Sequence, residues 1–327
     1  MTEAATVETA PSWKEWYGRE TRVLFRELLV ELAEEDERIV CVDSDMGGLE
    51  DGFGATFPSR YFNVGIAEAN MTGVAAGLAA SGYIPFVHAI SSFAAARACE
   101  QLKIDVASNC LPVRIVATHA GLSAGHYGPT HHALEDIAIV RALPNMTLVV
   151  PADGVETEAA VRAVADLPGP AYLRLGRKPT PILHNEPMTF ELGRAVQLRD
   201  GDDAAIVATG PWPVRFALDA AETLAADGVE ARVLDLHTVK PLDVEALVEA
   251  AETTCGIVTV EDHVVTGGVG GAVCEAVAAT APCRVLRVGA ADRFLDDVGD
   301  ELDLLERAGV SAERVVEAVR TIVEEAA

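Results

Sequence analysis

At 327 residues the chain is long enough for about two ordinary domains, and with half of its residues hydrophobic it is globular rather than disordered. Its net charge of −26, from 51 acidic and 25 basic residues, argues against a nucleic-acid or anionic-membrane partner and fits a cytoplasmic protein. No apolar run approaches the roughly 18–20 residues that cross a bilayer, and the acidic start Met1-Thr-Glu-Ala-Ala-Thr-Val-Glu lacks a signal-peptide core.

Residues 1–14 read as a disordered tail. A helix follows over 21–34, where Leu24, Leu28, Leu29 and Leu32 recur at helical spacing. Ile39-Val-Cys-Val42 reads as a short buried strand leading to Asp43 and Asp45. Tyr61 to Ile66 is an apolar, β-rich approach to one carboxylate, Glu68, and a small-residue helix over 72–80 comes directly after it. Gly73, Ala76 and Gly77 there let another backbone approach. A carboxylate buried at that junction must be protonated or paired, because burying it alone costs several kcal/mol. Further buried strands are expected at 84–88 and 113–118 with a helix over 93–106 between them, then a strand at 147–150 and a helix at 154–165. Residues 168–187 are rich in proline and turn formers and read as a linker. Beyond it the alternation resumes, with strands at 204–209, 231–236, 255–260 and 283–288 and helices at about 213–226, 243–251 and 268–280. Strands alternating with helices predict α/β architecture: two parallel-sheet domains, at 15–185 and, smaller, at 190–327.

The six cysteines (Cys41, Cys99, Cys110, Cys255, Cys274, Cys283) have neither CxxC nor metal-site spacing and read as buried free thiols in a reducing compartment. Asp45, Glu68, His88, His119 and Glu261 fall at strand ends, where open parallel sheets bind ligands. Arg22, His131 and Arg177 fall on neighbouring loops or helices. A set of histidines beside arginines points to a polar pocket for an anionic ligand.

The stretch Arg60-Tyr-Phe-Asn-Val-Gly-Ile-Ala-Glu-Ala-Asn-Met-Thr-Gly-Val-Ala-Ala-Gly77 resembles the pyrimidine-binding domain of transketolases. The likeness continues through Ala117-Thr-His-Ala-Gly-Leu-Ser-Ala-Gly-His-Tyr-Gly-Pro-Thr-His131, Ala142 to Asp153 and Tyr172 to Arg177. It resumes at Val258-Thr-Val-Glu-Asp-His263 and Thr266-Gly-Gly-Val-Gly-Gly271, so it covers about residues 15–325. The resemblance implies a pyrimidine-type thiamine-diphosphate-binding domain followed by a smaller transketolase C-terminal domain, with thiamine diphosphate as cofactor. By it, Glu68 is the glutamate on the aminopyrimidine ring and Phe93 the ring that stacks on it. Ile66, Ile90 and Asp45 fall at the cofactor, and at Ile90 and Ala96 other members carry further aromatics. His119 and His131 match substrate-contacting histidines, with Glu68 the candidate catalytic residues, while Arg22 and Arg177 match phosphate-binding arginines. Two departures stand out. Tyr127 replaces an aspartate that contacts a substrate hydroxyl, and Met46-Gly-Gly-Leu-Glu50 lacks the serine that helps bind phosphate. Both point to a non-standard aldehyde acceptor of specialised metabolism, in a reaction moving a two-carbon ketol unit from a ketose phosphate.

The family's Gly-Asp-Gly, followed some 25–30 residues later by Asn, binds the magnesium that anchors the diphosphate, and this chain has no Gly-Asp-Gly. The expectation is therefore a split transketolase. A separate N-terminal chain would supply the diphosphate site and its Mg²⁺ or Ca²⁺ in an α2β2 assembly, and this chain alone would not turn over. Alternatives are the beta subunit of a 2-oxoacid dehydrogenase, a deoxyxylulose-phosphate-synthase-like acyl transfer, and a noncatalytic subunit that kept the fold.

Overall fold

The computed structural model describes residues 18–184 and 188–326. The expected N-terminal tail, 1–14, falls outside them. In chain order the elements are α1 (Thr21–Glu35), β1 (Ile39–Asp43), β2 (Tyr61–Asn63), α2 (Glu68–Ala80), β3 (Ile84–Ile90), α3 (Cys99–Gln101), β4 (Arg114–Thr118), α4 (Asp136–Arg141), β5 (Thr147–Val149), α5 (Gly154–Ala165) and β6 (Ala171–Arg174). They continue as β7 (Val196–Arg199), β8 (Ala204–Thr209), α6 (Pro211–Ala226), β9 (Ala231–Asp235), β10 (Thr238–Lys240), α7 (Val244–Thr253), β11 (Ile257–Val264), α8 (Val269–Thr280), β12 (Val285–Ala290), α9 (Glu301–Ala308) and α10 (Ala312–Ala326).

Two mostly parallel sheets result, as the alternation predicted. One runs β10-β5-β6-β4-β3-β1-β2 and the other β12-β11-β8-β9-β7. The antiparallel exceptions are at edges, where β10 pairs with β5 and β7 with β9. Helices α1 and α5 cover one face of the first sheet through Leu24, Leu28, Val161 and Val164. A second core on its other face joins α2 to α7 and α8 of the second half through Met71, Ala75, Leu247 and Val273. The third core lies between the second sheet and α6, α9 and α10.

Three expectations need correction. The stretch read as a linker contains β6, a fully buried strand between β4 and β5. Pro168 and Pro170 bound it rather than forbid it, since proline is tolerated just ahead of a strand. The carbonyls of Ala165 and Gly169 there are satisfied by the buried Arg114 guanidinium. The helix expected over 93–106 is wound as two widened π-type segments, Phe93–Arg97 and Leu102–Ala107, on either side of α3. Ala94, Ala95 and Ala96 have no branched side chain to resist the wider turn. The turn lays the Arg97 guanidinium 4.1 Å over the Phe93 ring. Such π segments are common at functional sites. The thiols are also less buried than expected: Cys41 is interior, but Cys110 and Cys255 are exposed.

In the first sheet β1, β3 and β4 are adjacent and parallel, so Asp43, Ile90 and Thr118 end at one rim. That rim carries the site.

Candidate active site

Glu68 opens α2 instead of preceding it, with its carboxylate buried at the helix N-terminus. A carboxylate there is favoured by the helix dipole. Arg97 Nη1 donates to Glu68 Oε2 at 2.6 Å. This is the pairing that burial demands. Arg97 remains 44 % exposed, so the pair is open on its cationic side. Phe93, half-buried under Arg97, meets the His131 ring edge-on at 5.1 Å. Tyr127 lies 4.8 Å from His131 and 3.9 Å from His126. Glu68, Arg97, Phe93, His131 and Tyr127 are thus one connected patch.

A second, cationic patch adjoins it. His119 follows β4 with φ of 61°, a left-handed conformation uncommon outside glycine and often kept at functional sites. Its Nδ1 is 2.9 Å from the Thr118 hydroxyl. Burial, with the charges of Arg22, Arg177, His88 and Arg26, lowers His119 to about 3, so it is a neutral imidazole at ordinary pH. Arg22 pairs with Glu20 at 2.6 Å. The Arg177 amide is held by Ser123 Oγ, its Nε is buried without a hydrogen bond, and its guanidinium lies 5.7 Å from the Tyr127 ring centre. Tyr127 therefore bridges the two patches.

Sequence reasoning missed three members. Arg26, one helical turn after Arg22, has a buried Nε without a partner, and its guanidinium lies so close to Gly48 that a Cβ there would sit 2.2 Å from Nη1. Arg97 was visible as a cation four residues after Phe93. Asp43 pairs across strands with His88 and holds its Nδ1 at 2.9 Å, and the Tyr61 hydroxyl donates to the other Asp43 oxygen at 3.0 Å. His88 Nε2 is buried without a partner.

The remaining expected residues scatter. Ile90 ends β3 at the rim, half-buried. Ile66 is 73 % exposed, just ahead of Glu68, and Phe62 on β2 is exposed as well. Asp45 lies at the β2 edge, with φ of 64°, and accepts from Asn63 Nδ2 at 3.0 Å. Glu261 does not join the site. It belongs to the second sheet and accepts the backbone N–H groups of Val269 and Gly270, capping α8. The glycine run exists for that contact, since a Cβ on Gly268 would lie 1.9 Å from the Glu261 carboxylate. A cavity of about 590 Å³ opens beside the site, lined by Ala96, Pro129, His132 and the 292–295 loop. Its wall includes Ala96, where the expected aromatic wall is thin.

Known proteins share both halves of this architecture. Residues 18–181 match the transketolase pyrimidine-binding domain and residues 193–315 the transketolase C-terminal domain. The chain is 41 % identical over 313 residues to the 6-deoxy-6-sulfo-D-fructose transketolase subunit SqwH of Clostridium sp. (strain MSTE9), covering 95 % of this chain and 96 % of that one. It is 37 % identical to an apulose-4-phosphate transketolase subunit of Phocaeicola vulgatus, over 82 % of this chain and 86 % of that one. A split-gene transketolase solved as an inactive β4 tetramer superposes with a TM-score of 0.87 at 42 % identity, over 94 % of this chain and 99 % of that one.

Proposed function

The chain belongs to the transketolase family, and on that premise we propose that it is the C-terminal subunit of a two-chain ketol transferase, active only with a partner that carries the diphosphate and metal site. The observation that carries this reading is the buried Glu68 carboxylate with one half-exposed cation as its partner, beside an aromatic face. That arrangement fits thiamine diphosphate: a carboxylate for the aminopyrimidine ring, Phe93 for its face, and Ile66 and Ile90 for its apolar edge. When bound, the cofactor supplies a nucleophilic carbon and an electron sink for the two-carbon unit. Asp45 is the residue we assign to the subunit boundary.

Glu68 would hold a ring nitrogen of the cofactor through a hydrogen bond from its buried carboxyl, the position from which a carboxyl can exchange a proton with the ring. Neutral His119 would accept and donate hydrogen bonds at the donor's carbonyl and hydroxyls without adding charge. His131, braced by Phe93 and Tyr127, would serve the same ketose from the other side. Arg22 and Arg177, with Arg26 behind them, would hold the anionic end of the donor, for which guanidinium forks are suited. Where an aspartate would recognise an acceptor hydroxyl, Tyr127 offers a half-exposed phenol, so the acceptor is an aldehyde outside the ordinary pentose phosphates. The similar subunits named for sulfofructose and apulose 4-phosphate support a specialised sugar.

The partner is an N-terminal transketolase chain with the Gly-Asp-Gly and Asn motif, holding Mg²⁺ or Ca²⁺, in an α2β2 assembly. Exposed Phe62 and Ile66, next to Glu68, are the apolar surface it would cover. Equilibrium dialysis tests this. The chain alone retains no thiamine diphosphate, and the mixture with its partner and magnesium retains about one per pair of chains. Full retention by the isolated chain would refute the split site.

A further inference from the structure

A group of buried side chains not used in the candidate site joins the two halves of the chain. Glu156 lies in the first turn of α5, Asp235 is the last residue of β9 in the second sheet, and His184 lies on the segment between the halves. All three side chains are buried, and their ligating atoms lie within 4.8 Å of one another. Two ligands about 2.1 Å from a shared ion are at most roughly 4.2 Å apart, so a contraction of a few tenths of an ångström closes the set.

The oxygens are short of donors. Asp235 is fully buried and neither of its carboxylate oxygens has a hydrogen-bond partner. Glu156 Oε2 accepts the Ala152 amide at 2.6 Å, but Oε1 has none. Among the described residues no lysine or arginine ion-pairs with Asp153, Glu156 or Asp235. Two buried carboxylates face to face are costly, and the base beside them is His184, which burial lowers but Asp153 and Glu156 raise above its usual value. Burial pushes both well above the usual carboxylate range, with the Asp235 charge adding to the rise of Glu156 and the Asp153 charge to that of Asp235.

The surroundings are built as a supporting shell. Asp153 Oδ2 lies 3.2 Å from His184 Nδ1 and accepts the Leu183 and His184 amides at 3.1 and 2.8 Å. Asp153 Oδ1 accepts the Glu156 amide at 3.0 Å, capping α5. One carboxylate thus orients both the imidazole and the helix that carries Glu156. A carboxylate behind a histidine, fixing its ring for the metal, is the usual second tier of a metal site.

We propose that Glu156, His184 and Asp235 bind a divalent transition ion, with Asp153 positioning the histidine, and that the ion clamps the two halves of the subunit together. Coordination would run through Glu156 Oε1, the Asp235 carboxylate and His184 Nε2. Two carboxylates and one imidazole without thiolate suit Mn²⁺, Co²⁺ or Zn²⁺. The ion is structural in this reading, since its three ligands are all buried and closed to solvent. It is also separate from the diphosphate-anchoring metal assigned to the partner.

The test uses the untagged full-length chain, stripped with EDTA and titrated with Mn²⁺ under electron paramagnetic resonance, then with Co²⁺ under visible spectroscopy. The expected result is uptake of about one ion per chain, a rise of several degrees in Tm, and Co²⁺ bands without thiolate charge transfer, which separates this site from the exposed Cys110 and Cys255. Asp235→Asn should abolish stoichiometric uptake, and Asp153→Asn should weaken it about 10–100-fold. If Asp235→Asn does not fold, Glu156→Gln and the wild-type titration decide. No uptake by the wild-type chain, with Tm unmoved by either ion, overturns the proposal and leaves Glu156 and Asp235 sharing a proton. Uptake unchanged in a folded Asp235→Asn or Glu156→Gln variant overturns it equally.

Discussion

The Glu68 carboxylate accepts a hydrogen bond from Arg97 at 2.6 Å, and the same guanidinium lies 4.1 Å over the ring of Phe93. One cation therefore ties the buried acid to the aromatic face beside it, and both stay reachable because Arg97 is itself half in solvent. The first prediction follows from this openness. Glu68→Ala leaves Arg97 in water rather than stranded, so it costs only about 1 kcal/mol of stability, through a lost helix-terminus charge and a half-exposed ion pair. Turnover, by contrast, falls at least about 100-fold, as for a lost acid–base group. A thermal melt beside a rate assay checks both halves. Activity above a few per cent removes Glu68 from the chemistry.

Arg177 presents a buried Nε without a partner next to Tyr127. Losing a charge-assisted bond to an anionic substrate group is worth about 1.5–3 kcal/mol, or roughly 10- to 100-fold in binding. Arg177→Ala should therefore raise the KM for phosphorylated donors by that factor and leave kcat within about threefold. An unchanged KM excludes Arg177 from the site.

Tyr127 is half-exposed between His126 and His131. Tyr127→Asp restores a short acceptor in place of an aromatic plate. Its kcat/KM for ribose 5-phosphate should rise relative to that for the natural acceptor. Because the side chain is half in solvent, stability should move by less than about 0.5 kcal/mol. A fall on both acceptors would show that the ring is needed for packing, not selection.

His119 is held neutral, at about 3, by burial and by Arg22 and Arg177. Its folded value lies below its unfolded value of 6.5, so between these the unfolded chain binds more protons and stability falls as pH drops below 6.5. His237 and His263, both lowered to about 4 by burial, act in the same direction. Glu261 and Glu301, raised by burial to about 7 and about 8, act in the opposite direction in any variant, so the test is a difference: between pH 6.5 and pH 4 the denaturant midpoint of His119→Asn should fall less steeply, or rise more, than that of the wild type. An identical slope in the variant would mean that His119 is charged in the folded state.

The two sheets, their helices and the strand-end residues were legible because period and punctuation carry them. β6 was not, since Pro168, Gly169 and Pro170 disguise a strand that the Arg114 guanidinium stabilises from a distant position. β10 is three residues long and finds its partner, β5, far back in the chain. No local pattern marks such a pairing. Glu68, Phe93 and the two histidines could be picked out from motif and position. Arg97 and Arg26 were visible only as cations, because their importance arises from a widened helical turn and from a loop glycine against which the guanidinium packs. Glu261 misled for the opposite reason: its strand-end position is shared, but its charge is used on α8.

The measurement that bears most directly on the account is a coupled assay of xylulose 5-phosphate cleavage with thiamine diphosphate and magnesium. It is run on this chain alone, on the Gly-Asp-Gly partner alone, and on the two together. The account predicts cleavage only by the pair, with ketol transfer to an aldehyde. Cleavage by this chain alone, or an intact pair that ignores the ketose phosphate and turns over pyruvate, would contradict it.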